Sequence, residues 1–291
     1  MPMPILLYAV TAALYGLLAL YFWHTRWGAA AQSAAGRIQV GPPDAEHAPP
    51  AALAWERPAI LAPLLLHAVL LYQVLFGAAE LRFGFGLALS IMLWIAVLIY
   101  WLERHFLNLE GMQPLLLAAA AVCSFLPLPF PGLLSPAYTH SVEFRVHLAL
   151  GMLAYSFFTI AALQALLMTL LERRLHGHAV AGPLASLSPL LTMEAVLFKL
   201  IAMGFFLLTL TLITGAVFSE SIFQQPMKFS HKTLFAVISW LIFAALLVGR
   251  KLYGWRGRKA LRWTLSGFSA LLLAYVGSRF VLEVILSRTL P

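Results

Sequence analysis

The chain has 291 residues, of which 62% are hydrophobic and only 10% are charged, and its mean hydropathy is +0.89. In soluble globular domains about a quarter of all residues are charged. The composition of this chain therefore excludes a soluble protein and indicates an integral membrane protein. The formal net charge is +8. The basic residues of 250–262 form a short loop between two apolar segments without a nucleic-acid-binding fold, so no nucleic-acid partner is expected.

Eight apolar segments are long enough, or nearly long enough, to cross a bilayer as helices. A hydrocarbon core about 30 Å thick needs about 20 apolar residues of helix. The segments lie near residues 4–24, 58–77, 83–102, 112–126, 143–171, 195–218, 231–249 and 262–286. The fourth is short and runs into Pro127, Pro129 and Pro131, which cannot continue a helix. The alternating polarity of barrel strands is absent, so the predicted fold class is all-α, a polytopic helical bundle with about eight transmembrane helices.

The basic residues of the connecting loops predict the orientation of the bundle, because Lys and Arg concentrate on the cytoplasmic side. They are dense in 250–262 and recur in 26–57 and 173–174, whereas 127–142 and 219–230 carry few. This distribution predicts that both termini lie outside. Residues 25–57 are rich in Ala, Pro and Gly and are predicted to form a mobile cytoplasmic linker within one transmembrane domain covering residues 1–291.

Two histidines lie at the outer ends of predicted spans, His147 at the start of the fifth and His231 at the start of the seventh. A neutral imidazole ligates metals at pH 7, and two imidazoles on one side of a membrane can hold a haem iron. The alternative is that both are interfacial residues hydrogen-bonded to loop carbonyls. Both readings place the two histidines at the same depth.

Other residues on the outer side fit a flat apolar ligand that carries two carboxylates. Candidate cations for the propionates are Lys228, Lys232 and Arg279. The alternative for Arg279 is an ion pair with Glu283 at i, i+4. Small residues recur at helical spacing below His147 and form either a smooth wall for the ligand or a surface for close helix packing; they are Gly151, Ala154, Ala161 and Ala165.

His67 lies near the middle of the second span. A polar group in hydrocarbon needs a partner, which makes an intramembrane histidine a candidate functional residue, here for a second, buried haem. The alternative is an interhelical hydrogen bond to Gln164 or to a Thr of the sixth span.

The order of features along the second half of the chain resembles a known family. The segments that carry the resemblance are His147–Tyr155 (HLALGMLAY), Thr214–Phe218 (TGAVF), Lys232–Leu241 (KTLFAVISWL) and Gly254–Ala260 (GWRGRKA). As a set they are similar to the CcsA/CcmC/CcmF superfamily of cytochrome c assembly proteins, most of all to its short branch of YpjD- and HemX-like inner-membrane proteins. The resemblance covers residues 140–286 well and the first half in outline.

This resemblance implies a multi-pass protein of the bacterial inner membrane that handles haem b without attaching it covalently, together with other cytochrome c assembly components. It places His147 at the position of an outer haem-binding histidine. The stretch between Phe218 and His231 contains no Trp, so the Trp-rich haem-presenting platform of the family is missing, and cytochrome c synthase activity is not expected. The rival hypothesis is a haem-free membrane scaffold or transport accessory protein.

Overall fold

The computed structural model describes residues 3–28, 55–77, 82–103, 111–134, 141–176, 190–223 and 231–285. Within these residues the chain forms eight main helices, which are α1 (Met3–Phe22), α2 (Glu56–Phe76), α3 (Phe85–Leu102), α4 (Gln113–Phe125), α5 (Val142–His176), α6 (Leu190–Phe223), α7 (His231–Tyr253) and α8 (Gly257–Leu272). Two-residue strands β1 (Arg82–Phe83) and β2 (Leu133–Leu134) pair antiparallel. The all-α bundle predicted from the sequence is confirmed.

Two helices continue in wider turns. A π-helical turn, Trp23–Gly28, follows α1. After α8 the chain forms a π-helix (Leu273–Gly277), one short α turn (Ser278–Phe280) and a second π-helix (Val281–Ile285). With this extension α8 reaches the length of a membrane span, Gly257–Ile285.

Seven of the described helices are long and apolar enough to cross a membrane, and α4, with 13 residues, is shorter. The sequence predicted about eight spans, and the fourth is the one that falls short. Its two ends nevertheless lie at opposite ends of the bundle. The Gly111 carbonyl, just before α4, accepts a hydrogen bond from Trp27 Nε1 at 3.1 Å. The Leu126 carbonyl oxygen, just after α4, would lie 2.9 Å from a Cβ at Gly86, so only glycine permits this approach at the start of α3.

The helices alternate in direction between two ends of the bundle. At one end, which we call the Glu56 end, Arg26 pairs with Glu56, and Arg57 exchanges hydrogen bonds with Trp101 at the end of α3. At the other, the His147 end, the Phe85 ring packs edge-on against Phe280 at 5.3 Å. The alternation brings the start of α1 and the end of the last π-helix to the His147 end. The first and last of the described residues therefore lie at the same end of the bundle, and the location of both termini outside the membrane stays a prediction.

The helices extend beyond the predicted spans where the sequence becomes polar. Helix α5 continues to His176, α7 continues to Tyr253, and α8 begins at Gly257. A span predicted from hydropathy ends at the first charged residues. The helix itself can continue beyond them, because Lys, Arg and Glu are good helix formers. The two ends of the predicted linker, residues 25–57, have regular structure. Residues 25–28 are π-helical, residue 55 forms a turn, and residues 56–57 begin α2. Residues 29–54 lie outside the described part of the chain.

Helix α5 crosses the centre of the bundle and packs most extensively against α6. Its small residues serve that packing. Ala154, Ala161 and Ala165 are fully buried in the main core, and a Cβ at Gly151 would meet Thr211 Cγ2 of α6 at 3.6 Å. The structure thus favours close helix contact over a smooth ligand wall for this set of residues.

The orientation can be tested by labelling single cysteines, because Cys123 is the one cysteine in the sequence. In a Cys123→Ala background, a membrane-impermeant maleimide added to intact spheroplasts is expected to modify Val142→Cys, at the His147 end, but not Arg256→Cys, at the Glu56 end. Both positions are exposed. Disruption of the membrane should make position 256 reactive. Labelling of position 256 in sealed spheroplasts would reverse the predicted orientation.

Candidate functional site

His147 is held against α6 by a side-chain hydrogen bond. It lies in the second turn of α5, is partly buried, and places its Nδ1 atom 3.1 Å from Thr214 Oγ1. The Thr214 hydroxyl in turn lies 2.9 Å from the Leu210 carbonyl and 3.1 Å from the Thr211 carbonyl of its own helix. Since a hydroxyl has a single proton to donate and here it goes to a carbonyl, Thr214 Oγ1 accepts from the imidazole.

This network assigns the tautomer of His147. Nδ1 carries the proton, and the Thr211 main chain is a further hydrogen-bond partner of the ring. Nε2 therefore carries the lone pair, and no side chain of the described residues forms a hydrogen bond to it. A metal-binding histidine usually donates its other ring N–H to an acceptor in this way, which fixes the ring and raises its basicity. The arrangement of His147 and Thr214 has this geometry.

Gly215 makes room for the His147 ring. A Cβ at this position would lie 3.0 Å from His147 Cε1, which is tighter than ordinary van der Waals contact, and 3.6 Å from Nδ1. The imidazole consequently lies directly on the α6 backbone, and its plane is restricted by the helix as well as by Thr214.

His231 is the first residue of α7 and is exposed. Within the described residues no hydrogen bond or ring contact joins it to His147. Lys228 lies outside the described residues. The structure therefore positions one of the two predicted iron ligands and leaves the other at a free helix end. The part of the chain that the structure describes also contains no group of three or more His, Cys, Asp or Glu side chains able to hold a bare metal ion.

Lys232 and Arg279 converge on one aromatic ring. The Lys232 ammonium lies 5.9 Å from the centroid of Tyr275, and the Arg279 guanidinium lies 6.0 Å from the same centroid. Arg279 Nη1 is 4.0 Å from Glu283 Oε1, which is the predicted i, i+4 pair. The other oxygen of Glu283, Oε2, accepts from the Phe85 N–H at 3.4 Å. Two of the three predicted propionate contacts are thus brought together, with one carboxylate beside them.

The helix turn that carries Tyr275 is widened by a side chain from α5. The Tyr155 hydroxyl donates to the Leu271 carbonyl at 2.7 Å and also has a main-chain hydrogen bond with Tyr275. A side chain inserted between residues i and i+4 of a helix interrupts the hydrogen-bond ladder, and here the π-helix Leu273–Gly277 follows. π-Turns of this kind are frequent at functional sites.

His67 is fully buried between α1 and α3 rather than beside α5. Its Nε2 atom lies 2.8 Å from Ser90 Oγ of α3, and its ring packs edge-on against Tyr15 of α1, with centroids 5.7 Å apart. The interhelical hydrogen bond that the sequence suggested is present, but the partner is Ser90 and not Gln164. His67 Nδ1 has no partner among the described residues.

Sequence reasoning missed the residues that shape this site, namely Thr214, Gly215 and Tyr155. All three belong to segments that carry the family resemblance, Tyr155 to the first and Thr214 and Gly215 to the second. Their roles could not be predicted from the sequence, because each depends on contact with another helix; Tyr155 contacts a residue 116 positions away.

Comparison with known proteins gives three results. The profile of a family described as cytochrome c assembly protein matches residues 59–286. Inner membrane protein YpjD of Escherichia coli strain K12 is 34% identical over 140 residues, which is 48% of this chain and 52% of that protein. Cytochrome c biogenesis protein CcsA of Synechocystis is 36% identical over 86 residues, 30% of this chain and 26% of that protein. The chain thus spans about half the length of the YpjD relative. No solved structure matches it.

Proposed function

We propose that this chain, which belongs to the cytochrome c assembly protein family, is a haem-handling protein of the bacterial inner membrane that binds haem b without a covalent bond. Family membership and the seven helices of span length support this reading. The Escherichia coli relative is named an inner membrane protein, which supports the location. The CcsA relatives are named cytochrome c biogenesis proteins, which supports a role beside other cytochrome c assembly components.

The observation that carries the proposal is the state of the His147 ring. Its Nδ1–H is engaged by Thr214, and no side chain of the described residues bonds to its Nε2 lone pair. A Cβ at Gly215 would approach the ring to 3.0 Å, so glycine leaves the ring its space. Held in this way, His147 would be a ligand to the iron of a bound haem.

The remaining contacts are proposed from charge and position. Lys232 and Arg279 would hold the propionates, with Tyr275 between them as a flat wall. Lys228 and a second axial ligand, His231, complete the set proposed from the sequence. A haem held by these residues would supply a redox-active iron. Without a Trp between Phe218 and His231, the chain itself is proposed to hold haem rather than to attach it to an apocytochrome.

A visible spectrum tests the proposal. Protein purified in mild detergent from haem-replete cells is expected to show a Soret band and, after dithionite reduction, sharp b-type bands that a pyridine haemochrome assay assigns to haem b. Acid acetone should extract all of the haem, because no covalent bond is expected. A folded, monodisperse preparation that is colourless and gains no Soret band on titration with hemin would favour the alternative, a haem-free scaffold or transport accessory.

Thr214 should matter for haem affinity although it is not a ligand. In Thr214→Val the shape is kept but the acceptor for Nδ1–H is lost, and loss of such a partner lowers metal affinity by about 10- to 100-fold. Thr214→Ser keeps the hydroxyl and should bind hemin within about threefold of the parent protein. Hemin titration followed at the Soret maximum measures both. Equal affinities for the Val and Ser variants would show that the hydrogen bond does not prepare His147.

A further inference from the structure

The turn between α7 and α8 has a defined shape at the Glu56 end of the bundle. Gly254 and Gly257 have φ angles of +62° and +54°, a left-handed conformation that glycine adopts without a clash of Cβ. The Trp255 N–H donates to the Gly249 carbonyl at 3.2 Å. The indole lies so close to Gly249 that a Cβ there would be 2.5 Å from two ring carbons. Trp255 is therefore fixed against the end of α7.

Three arginines around this turn lie beside carboxylates. Arg250 contacts the buried Glu194 directly, and Arg256 Nε lies 3.6 Å from the same carboxylate. Arg258 Nε lies 3.5 Å from Oε2 of the partly buried Glu172. The Arg250 pair ties the turn to α6, whereas the side chains of Arg256 and Arg258 are 63% exposed, and exposed ion pairs add little to stability.

The remaining cations of the turn are not balanced. Lys251, Lys259 and Arg262 are exposed, and none has an acidic partner in the described part of the chain. Lys259 and Arg262 are three residues apart on α8 and therefore share a face. The Lys259 ammonium lies 3.5 Å from the centroid of Trp255. One cation without an acidic partner thus lies against a fixed indole, and a second lies on the same face of α8.

The turn also lies at the boundary between lipid and water, because it joins two helices of span length. Apolar and amphipathic side chains beside the cations face outward, with Leu252 67% and Tyr253 75% exposed. Tyr and Trp are typical of the headgroup level, and clusters of Lys and Arg next to a transmembrane helix attract anionic headgroups. This placement holds whichever face of the membrane the turn occupies.

We propose that this turn is a binding site for an anionic phospholipid. Lys259 and Arg262 receive the phosphate, Lys251 adds to the local positive potential, and Leu252 and Tyr253 lie along the acyl chains. Arg250 holds the turn against α6, and Arg256 and Arg258, which already face carboxylates, do not contact the lipid. The proposal is independent of the haem site, which lies at the opposite end of the bundle.

Native mass spectrometry of the delipidated, full-length protein titrated with cardiolipin, phosphatidylglycerol or phosphatidylethanolamine tests this site. At about 1 kcal/mol for each cation near an anionic headgroup, Lys259→Gln/Arg262→Gln should weaken cardiolipin binding by about 30-fold. The matched control, Arg256→Gln/Arg258→Gln, removes the same formal charge from exposed positions and should change binding by less than about threefold, because its charges are already paired.

Several results would overturn the proposal. Equal loss in the two double variants would mean that net charge alone attracts the lipid, and no loss in either would place the lipid elsewhere. Phosphatidylethanolamine bound as tightly as cardiolipin would remove the requirement for an anionic headgroup. Displacement of cardiolipin by millimolar inorganic phosphate would indicate a site for a soluble anion instead of a lipid.

Discussion

His147→Ala is expected to remove the haem spectrum almost completely. Of the two proposed axial ligands, His147 is the one that the structure holds in place, between Thr214 and Gly215. His231 is the first residue of α7 and is exposed. Its side chain therefore loses more conformational freedom than that of His147 when it coordinates the iron. Loss of the fixed ligand should therefore lower haem occupancy to about a tenth of the parent value or less, consistent with the loss of a directly coordinating group.

Added imidazole provides the internal control for this variant. If His147→Ala is folded and lacks only a ligand, millimolar imidazole should restore part of the Soret band by filling the vacant coordination position. A misfolded variant would not respond, and size-exclusion chromatography would show it. His231→Ala should behave differently, retaining haem but shifting the spectrum from low spin towards high spin.

His67→Ala is the control variant, because it removes a histidine that lies away from the proposed haem site. His67 packs against Tyr15 and Ser90, on α1 and α3, and shares no contact with His147. Its removal should leave the spectrum unchanged whatever it does to stability. Loss of haem in His67→Ala together with a normal spectrum in His147→Ala would move the site to the interior of the membrane and refute the ligand assignment.

The sequence predicted the parts of the fold that depend on local composition. Apolar length located the spans, and the position of His147 at a helix end followed from where the apolar segment begins. The end of α4 was the boundary the sequence defined least, because Pro127 and its neighbours stop a helix without showing where the chain runs next. In the structure the carbonyl groups of Leu126 and Phe130 pack against Gly86 of α3. This tertiary contact determines the path of the chain after α4.

The partners of the polar side chains were harder to predict, because they lie far away along the chain. Arg26 and Glu56 form an ion pair although they are 30 residues apart in the sequence. The Ala- and Pro-rich stretch between them gave no sign that they would meet. Ser90 was a better partner for His67 than Gln164 because α2 lies beside α3, and hydropathy does not report which helices are neighbours. The tautomer of His147 could not be predicted for the same reason, because it depends on the contact with Thr214 of another helix.

The centre of the bundle contains two stacked phenylalanine rings that lie between two glycines, and the four residues come from four helices. Phe158 of α5 and Phe243 of α7 are fully buried and stack with centroids 3.9 Å apart. A Cβ at Gly204 of α6 would lie 3.1 Å from the Phe158 ring, and a Cβ at Gly267 of α8 would lie 2.8 Å from Phe243 Cζ. Each ring is thus confined between the other ring and a helix backbone.

Gly267→Leu should consequently be among the most destabilising single changes in the protein. A flexible side chain can normally yield to a new Cβ, but Phe243 cannot move because Phe158 blocks it, and Phe158 is blocked in turn by Gly204. Overpacking of a close-packed core costs about 1–3 kcal/mol, and we expect about 3 kcal/mol or more here because two rings must shift together. The measurement is the midpoint of thermal unfolding in detergent, followed by scanning fluorimetry.

Gly16→Leu is the matched control, because it places the same side chain in a helix where a Cβ would meet nothing within 4 Å. Its midpoint should stay within a few degrees of the parent value. The double variant Gly267→Leu/Phe243→Ala should recover part of the stability lost in Gly267→Leu, because deleting the ring creates the space that the new side chain needs and so makes the two changes non-additive. Equal midpoints for Gly16→Leu and Gly267→Leu would show that α8 can move away from α7 at little cost. The ring stack would then not be what holds these helices in register.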